Sequence, residues 1–336
     1  MLRREADGVR WWIERQALLG VLVPPPGLVL AWVTRGDSAT AARQAEVLAE
    51  AVDAELLGAG ARASRILLNG YWQDESDGWS HDSGRWTPER HRQILKRVAR
   101  PDGSGLDLDW EVADRRRPQS YHWAPNINLH GAINSTSPGV WEWTLQASAG
   151  LFRDKELDPA GEAWARLLRL VGGWPQTLWG AVFHDRWTAN RPLPYERYFG
   201  LRISPEDTGT TVRGYYWANL LTAGHLAKLG GTAAERCAAL GLGFEPVPAA
   251  DRDAVMVRAA EPVSVLSDST LEALREFLAP ALVIAPYRFY GGPPLRVLKD
   301  PGTAFRWIPP AIKHPWFDDD PPLTSDMPAY TLVPGR

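Results

Sequence analysis

The fold is decided by the stretch Leu106-Asp107-Leu108-Asp109-Trp110-Glu111, in which apolar and acidic residues alternate. In a β-strand such alternation places the carboxylates on one face and the apolar side chains on the other. The runs 126–130 (NINLH) and 140–145 (VWEWTL) alternate in the same way. Consecutive strands separated by turn residues favour antiparallel pairing over a strand–helix–strand repeat. We therefore expect an α+β fold with a mostly antiparallel sheet and packed helices.

Helices are predicted between these strands by their capping residues. Gly36-Asp37-Ser38 follows an apolar run and predicts the turn and cap of a helix over residues 41–57. Thr87-Pro88 is typical of an N-cap and the first helical residue. A further helix is expected from about Pro159 to Val171, and Ser269-Thr270-Leu271-Glu272 predicts a capping box for a last helix.

The chain is expected to divide near residues 150–158 into two α+β halves of similar size. These halves are residues 1–150 and 151–310, and a proline-rich tail at 311–336 follows. Within the first half, the acidic and polar stretch 74–84 predicts a surface loop because it contains too little apolar surface for a core.

Composition excludes several classes of function. A net charge of −3 over 336 residues offers no basic surface for nucleic acid. Cys237 is the only cysteine, so we expect an inert buried thiol and no disulfide framework or thiolate metal cluster. The apolar run at 17–23 ends at Pro24, too short for a membrane span. These features favour a cytoplasmic protein.

One motif carries an enzymatic alternative. Residues 105–111 resemble the end of the signature of chitinase-type glycosidases, Asp-Gly-x-Asp-x-Asp-x-Glu. That resemblance implies Glu111 as the acid that protonates the glycosidic oxygen and Asp109 as its supporting carboxylate. However, Ser104 stands where the signature has its first Asp, and consecutive strands do not fit a (β/α)₈ barrel. An alternating edge strand with a solvated acidic face explains the same residues without catalysis.

Other catalytic and ligand-binding patterns are missing from the sequence. The seven histidines are not spaced as a metal-binding motif, and neither a phosphate-binding loop nor a Gly-x-Ser-x-Gly sequence occurs. We therefore expect no catalytic residues, no cofactor and no metal.

The segment from Tyr198 to Gly231 carries a family resemblance. An apolar run, Tyr198–Ile203, precedes a Gly-x-x-Trp-x-x-x-Leu pattern starting at Gly214, which is followed by Leu229-Gly230-Gly231. The segment resembles the type VI secretion immunity family that neutralises VRR-NUC nuclease effectors and, second to it, the immunity protein 52 family of polymorphic-toxin antitoxins. Arg202 stands where the strand usually has an acidic residue. The resemblance implies a non-enzymatic protein that binds a cognate toxin stoichiometrically, with Trp217 in the core.

Two segments are candidate partner surfaces. In the first, Trp72 and Trp79 flank the acids Asp74, Glu75 and Asp77. In the second, 318–320 (DDD) follows Trp316-Phe317 in the tail. Aromatic anchors ringed by carboxylates suit docking onto a basic protein, such as a nuclease toxin. The alternative for each segment is a solvated loop with a few buried rings.

Overall fold

A computed structural model describes residues 27–57, 63–73, 79–85, 87–112, 126–133, 137–147, 157–185, 204, 206–248, 253–263 and 266–282. Within these ranges, the side chains of some strand residues, including Trp72, Trp79 and Glu111, lie outside the description. Several predictions also fall outside it: the acids Asp74, Glu75 and Asp77, the run Tyr198–Ile203, and the tail at 311–336.

The described residues form ten strands and six α-helices. The strands are β1 (Gly27–Arg35), β2 (Ala63–Gln73), β3 (Trp79–Arg85), β4 (Gly103–Val112), β5 (Asn126–Ile133), β6 (Val140–Ala147), β7 (Thr177–Asp185), β8 (Ala218–Thr222), β9 (Gly243–Pro246) and β10 (Ala254–Arg258). The helices are α1 (Ser38–Val52), α2 (Pro88–Val98), α3 (Leu157–Gly172), α4 (Ala223–Leu229), α5 (Ala233–Ala239) and α6 (Asp268–Leu278).

The described strands form one ten-stranded sheet in the order β3-β2-β4-β5-β6-β1-β7-β8-β10-β9. Every neighbouring pair is antiparallel. The prediction of an α+β fold with a mostly antiparallel sheet is thus confirmed. Strand β1 pairs with both β6 and β7, so strands from the two predicted halves belong to one continuous sheet. The predicted boundary between the halves falls mainly in residues 148–156, outside the description.

Helices α1, α2 and α3 cover one face of the sheet, and tryptophans fill the space beneath them. Trp143 stacks on Trp32 and on Trp141, with both pairs of ring centroids 5.6 Å apart. Its Nε1 donates a hydrogen bond of 3.0 Å to Thr34 Oγ1. Gly131 lies opposite Trp143, and a Cβ added there would lie 2.2 Å from the Trp143 ring. The ring of Trp143 therefore occupies the space that a side chain at 131 would need.

Capping residues begin two helices where the sequence predicts. The Asp37 side chain accepts a hydrogen bond from Thr40 N, and that of Thr87 accepts one from Arg90 N. For α6 the predicted position of the cap was wrong, because Ser267 rather than Ser269 accepts from Thr270 N. Ser267 is held in place by Glu261, whose Oε1 and Oε2 accept from its Oγ and backbone N–H.

One predicted loop contains a strand. Residues 79–85 pair with β2 as β3, and all but the last of them belong to the stretch 74–84 that was expected to be a surface loop. Its polar sequence, WSHDSGR, shows no apolar alternation. The backbone groups of β3 find their hydrogen-bond partners by pairing with β2, and the side-chain pattern of β3 gives no sign of this pairing.

The described part of the family-like segment is mostly buried. Trp217 is 3% exposed, and its Nε1 donates a 2.7 Å hydrogen bond to the carbonyl of Glu261. Gly230 has a φ of 84° and ends α4, as expected for a glycine C-cap. The predictions of a core role for Trp217 and of a helix end at Gly230 are confirmed. Residues 212–217 form an irregular segment that precedes β8.

Candidate functional site

Strands β4, β5 and β6 carry different chemistry on their two faces. On the helix-covered face, Leu108, Leu129 and Leu145 lie side by side and are fully buried. The opposite face carries half-buried polar side chains, which we call the polar face: Asp107, Asp109, Asn128, His130, Glu142, Thr144 and Gln146. Because these residues come from three adjacent inner strands, their backbone positions are fixed by pairing on both sides.

The first row across the polar face joins Asp107, His130 and Thr144. The strand register places Asp107 opposite His130, and His130 opposite Thr144. His130 Nδ1 forms a short hydrogen bond with Asp107 Oδ1. Asp107 and His130 expose only 17% and 16% of their side chains. A carboxylate facing Nδ1 favours the form of the imidazole with its proton on that nitrogen.

The second row joins Asp109, Asn128 and Gln146 in the same register. Asn128 Nδ2 donates a hydrogen bond of 2.6 Å to Asp109 Oδ1. The carboxylates of Asp107 and Asp109 are therefore each bound by the residue directly opposite on β5. This pairing satisfies part of the hydrogen-bonding capacity that half-buried carboxylates need.

A buried arginine borders the polar face. Arg213, whose side chain is 8% exposed, lies with its Nη1 3.6 Å from Glu142 Oε1. Its guanidinium also lies 6.0 Å from the ring of Trp179, close enough for a cation–π contact. The nearby ring of Tyr216 stacks on Phe183 with centroids 4.7 Å apart. The irregular segment 212–217 therefore contacts β6 through Arg213 and Glu142, and β7 through Tyr216 and Phe183.

The structure corrects the expected position of the acidic strand. β4 pairs with β2 on one side and β5 on the other, so the prediction of an edge strand with a solvated acidic face was wrong. Asp107 and Asp109 are half-buried and hydrogen-bonded rather than solvated. Glu111 lies at the β4 position opposite Asn126, and its side chain is outside the description. Sequence reasoning singled out the acids but not His130, because their contact depends on strand register.

The predicted partner-binding tryptophans lie on a hairpin at the edge of the sheet. Trp72 lies on β2 and Trp79 on β3, with Gln73 opposite Trp79 and Trp72 opposite Ser80. The register from β2 to β4 places Tyr71 opposite Gly105. Strand β3, which carries Trp79, is separated from β4 by β2.

His225 is a buried imidazole on α4, outside the three strands of the polar face. It is fully buried at the start of α4, and its Nδ1 accepts a 3.0 Å hydrogen bond from the backbone N–H of Thr222. Nδ1 must therefore be unprotonated, and the proton is on Nε2. Burial lowers the pKa of His225 to about 4. A neutral imidazole in this position acts as part of the helix cap.

Cys237 is buried on α5, as the sequence predicts. Burial raises the pKa of its thiol to about 11. At neutral pH the group is therefore a thiol rather than the reactive thiolate. Among the residues that the structure describes, no three histidine, cysteine or acidic side chains are grouped so that they could hold a metal ion. No helix in this part of the chain is long and apolar enough to cross a membrane.

Fold and site together define an α+β protein whose antiparallel sheet has helices on one face and a polar patch on the other. No protein-family model, no curated protein and no solved structure matches the chain.

Proposed function

We propose that the chain is an immunity protein that binds a cognate bacterial toxin and blocks it stoichiometrically. The toxin is a nuclease effector delivered between competing cells by a type VI secretion system, and the complex forms in the cytoplasm. The proposal starts from the resemblance of residues 198–231 to immunity families. The burial of Trp217 and the helix end at Gly230 support it, because these residues are expected to maintain the fold rather than to form a site.

The observation that carries the proposal is the edge hairpin of β2 and β3. Tyr71 lies on β2 and Trp79 on β3, and in the sequence the acidic stretch with Asp74, Glu75 and Asp77 lies between them. A nuclease needs a basic surface to hold its nucleic acid, and an acidic surface is complementary to it. Aromatic residues beside acids then supply the buried contact area that slows dissociation.

The proposed binding mode is tested with the purified complex. Trp79→Ala is expected to weaken binding by about 2 kcal/mol, mostly through faster dissociation, because it removes an aromatic anchor. Replacing Asp74, Glu75 and Asp77 together by Asn is expected to slow association about tenfold at low salt and less at high salt. Glu46 is exposed on α1, on the helix-covered side of the sheet. The variant Glu46→Gln is therefore the control, because it removes a negative charge outside the hairpin. Equal effects from Glu46→Gln and from the hairpin variants would refute the assignment of the hairpin.

The glycoside hydrolase alternative remains a prediction that rests on Asp109 and Glu111. The structure offers no observation that favours it, because β4 belongs to an antiparallel sheet rather than to a parallel barrel. Hydrolysis of chitin oligosaccharides by the purified chain, lost in Glu111→Gln, would establish it in place of the immunity function.

A further inference from the structure

We infer that helix α4 and residues 207–211 form an acid-sensitive switch, in which a proton taken up by His225 opens the contact between them while the rest of the sheet stays folded. We call residues 207–211 the covering segment. His225 is the third residue of α4 and is fully buried. The inference goes beyond the proposed immunity function and does not depend on it, because the edge hairpin of β2 and β3 takes no part in the switch.

The covering segment lies directly against the start of α4. A Cβ atom added to Gly224 would lie 2.3 Å from the carbonyl oxygen of Gly209. The hydroxyl of Thr222, the N-cap residue of α4, lies 3.5 Å from the same oxygen. One turn further along the helix, Lys228 Nζ donates a hydrogen bond of 3.2 Å to Thr211 Oγ1. The helix and the covering segment are therefore in contact from the N-cap to Lys228.

Helix α4 is held in place by few groups of its own. It is seven residues long, and its buried residues are His225 and Leu229. A helix of this length is not stable alone in water, so its packing determines whether it forms. The carbonyl oxygen of Leu229 accepts a 3.1 Å hydrogen bond from Arg236 Nη1, which ties the C-terminal end of α4 to α5. We therefore expect α4 to open locally before the whole chain unfolds, starting at its N-terminal end.

A proton on His225 removes the hydrogen bond that caps this N-terminal end. In the neutral ring, Nδ1 accepts a 3.0 Å hydrogen bond from the backbone N–H of Thr222 and lies 3.2 Å from the Thr222 hydroxyl. In the imidazolium both ring nitrogens carry protons, so Nδ1 and the Thr222 N–H would face each other as two donors. Because the ring is fully buried, the imidazolium gains water only when the covering segment moves away.

The groups around the ring favour the neutral form when the contact is closed. Burial has the largest effect and lowers the pKa of His225 to about 4. The carbonyl groups of Thr208 and Thr211, both in the covering segment, act in the opposite direction but do not outweigh burial. The positive charge of Lys228 adds to the lowering of the pKa. A proton on His225 is therefore disfavoured as long as the covering segment stays in place.

In the described part of the chain, the other elements packed against α4 bring no further charge to the ring. Strand β8 and residues 279–281 carry no ionisable side chain. Glu206 and Asp207 are exposed, and Arg236 is bound at the far end of the helix. His225 is therefore the group whose titration we expect to control the contact.

The switch is closed at neutral pH and opens in acid. In the open state His225 is hydrated and has its ordinary pKa of 6.5, so it binds a proton that the closed state excludes. Between pH 7 and pH 4 this difference raises the equilibrium constant for opening about a hundredfold. At neutral pH the imidazole is mostly neutral in both states, and the proton has little effect.

The test is hydrogen exchange of the full chain, measured by mass spectrometry at pH 7 and pH 4 and corrected for the intrinsic pH dependence of exchange. We expect the amides of α4 and of the covering segment to be less protected than those of β1 and β6 at both pH values, because they open locally. Their protection should fall about a hundredfold between pH 7 and pH 4. Protection equal to that of β1 and β6 would overturn the inference, because α4 would then open only when the whole chain unfolds.

Two variants identify the group that titrates. His225→Gln should remove this fall in protection, because glutamine takes up no proton in this range. His91→Gln, which removes another buried imidazole on α2, should retain it. A fall in His225→Gln as large as that in the wild type would overturn the inference. The comparison of α4 with β1 and β6 needs only the wild type, and no toxin is present, so the outcome is independent of the immunity experiment.

Discussion

His225 should give the folded protein a specific sensitivity to acid. Its pKa is about 4 in the folded chain because burial disfavours the imidazolium, and the ordinary value is 6.5. Between these values the unfolded chain binds a proton that the folded chain does not, so stability is lost as the pH falls. The difference between the two pKa values corresponds to a loss of about 3 kcal/mol, complete near pH 4 and absent above about pH 6.5.

The matched variant is His225→Gln. A capping box accepts glutamine at this position, and its side-chain oxygen can receive the Thr222 N–H that Nδ1 now accepts. Urea unfolding of both proteins, followed by tryptophan fluorescence, gives the free energy of unfolding from pH 7 to pH 4. The wild type should lose about 3 kcal/mol relative to the variant over this range.

Because the comparison is a difference, it cancels contributions from other groups that titrate in the same range. These include His91, whose pKa is also lowered by burial, and Asp53, whose pKa burial raises. Parallel stability curves for the wild type and His225→Gln would refute the reasoning, since they would mean that the folded protein admits the proton on His225 without cost.

Three further predictions concern the core, a helix cap and the thiol. Gly131→Ala should destabilise the chain by about 1–3 kcal/mol, because its Cβ would overlap the Trp143 ring, and a free energy of unfolding equal to wild type would contradict this. Thr87→Ala should cost about 1 kcal/mol in urea unfolding through loss of the cap of α2, while Thr87→Ser should recover most of it. Cys237 should react with a thiol reagent at neutral pH only on the timescale of unfolding, and rapid labelling of the native chain would show that the thiol is accessible.

The sequence was most informative where local chemistry determines local structure. The alternation at 106–111 predicted an antiparallel strand, and Asp37 and Thr87 predicted helix starts, because each depends on neighbours a few residues away. Strand β3 was not predicted, because its sequence is polar and it forms a strand only by pairing with β2.

The candidate site was predictable only in part for the same reason. The acids at 107 and 109 were evident from the pattern, but their partners are set by the register between β4 and β5. Thirteen residues, 113–125, separate the two strands, so no short turn of known geometry fixes that register. A shift of one residue would have placed Asp107 opposite an apolar residue instead of His130, and the pattern alone does not exclude that shift.

The most direct test of the proposed function is co-expression with the protein encoded beside this chain, taken as the candidate toxin. Cells would express that protein alone, with this chain, and with a variant that carries Trp79→Ala and the three Asn substitutions at 74, 75 and 77. Survival and co-purification would be scored together. Immunity predicts rescue and a stable one-to-one complex with the wild type, both weakened in the variant. Toxicity that persists with the wild-type chain present, without any complex, would contradict the proposal for this pair.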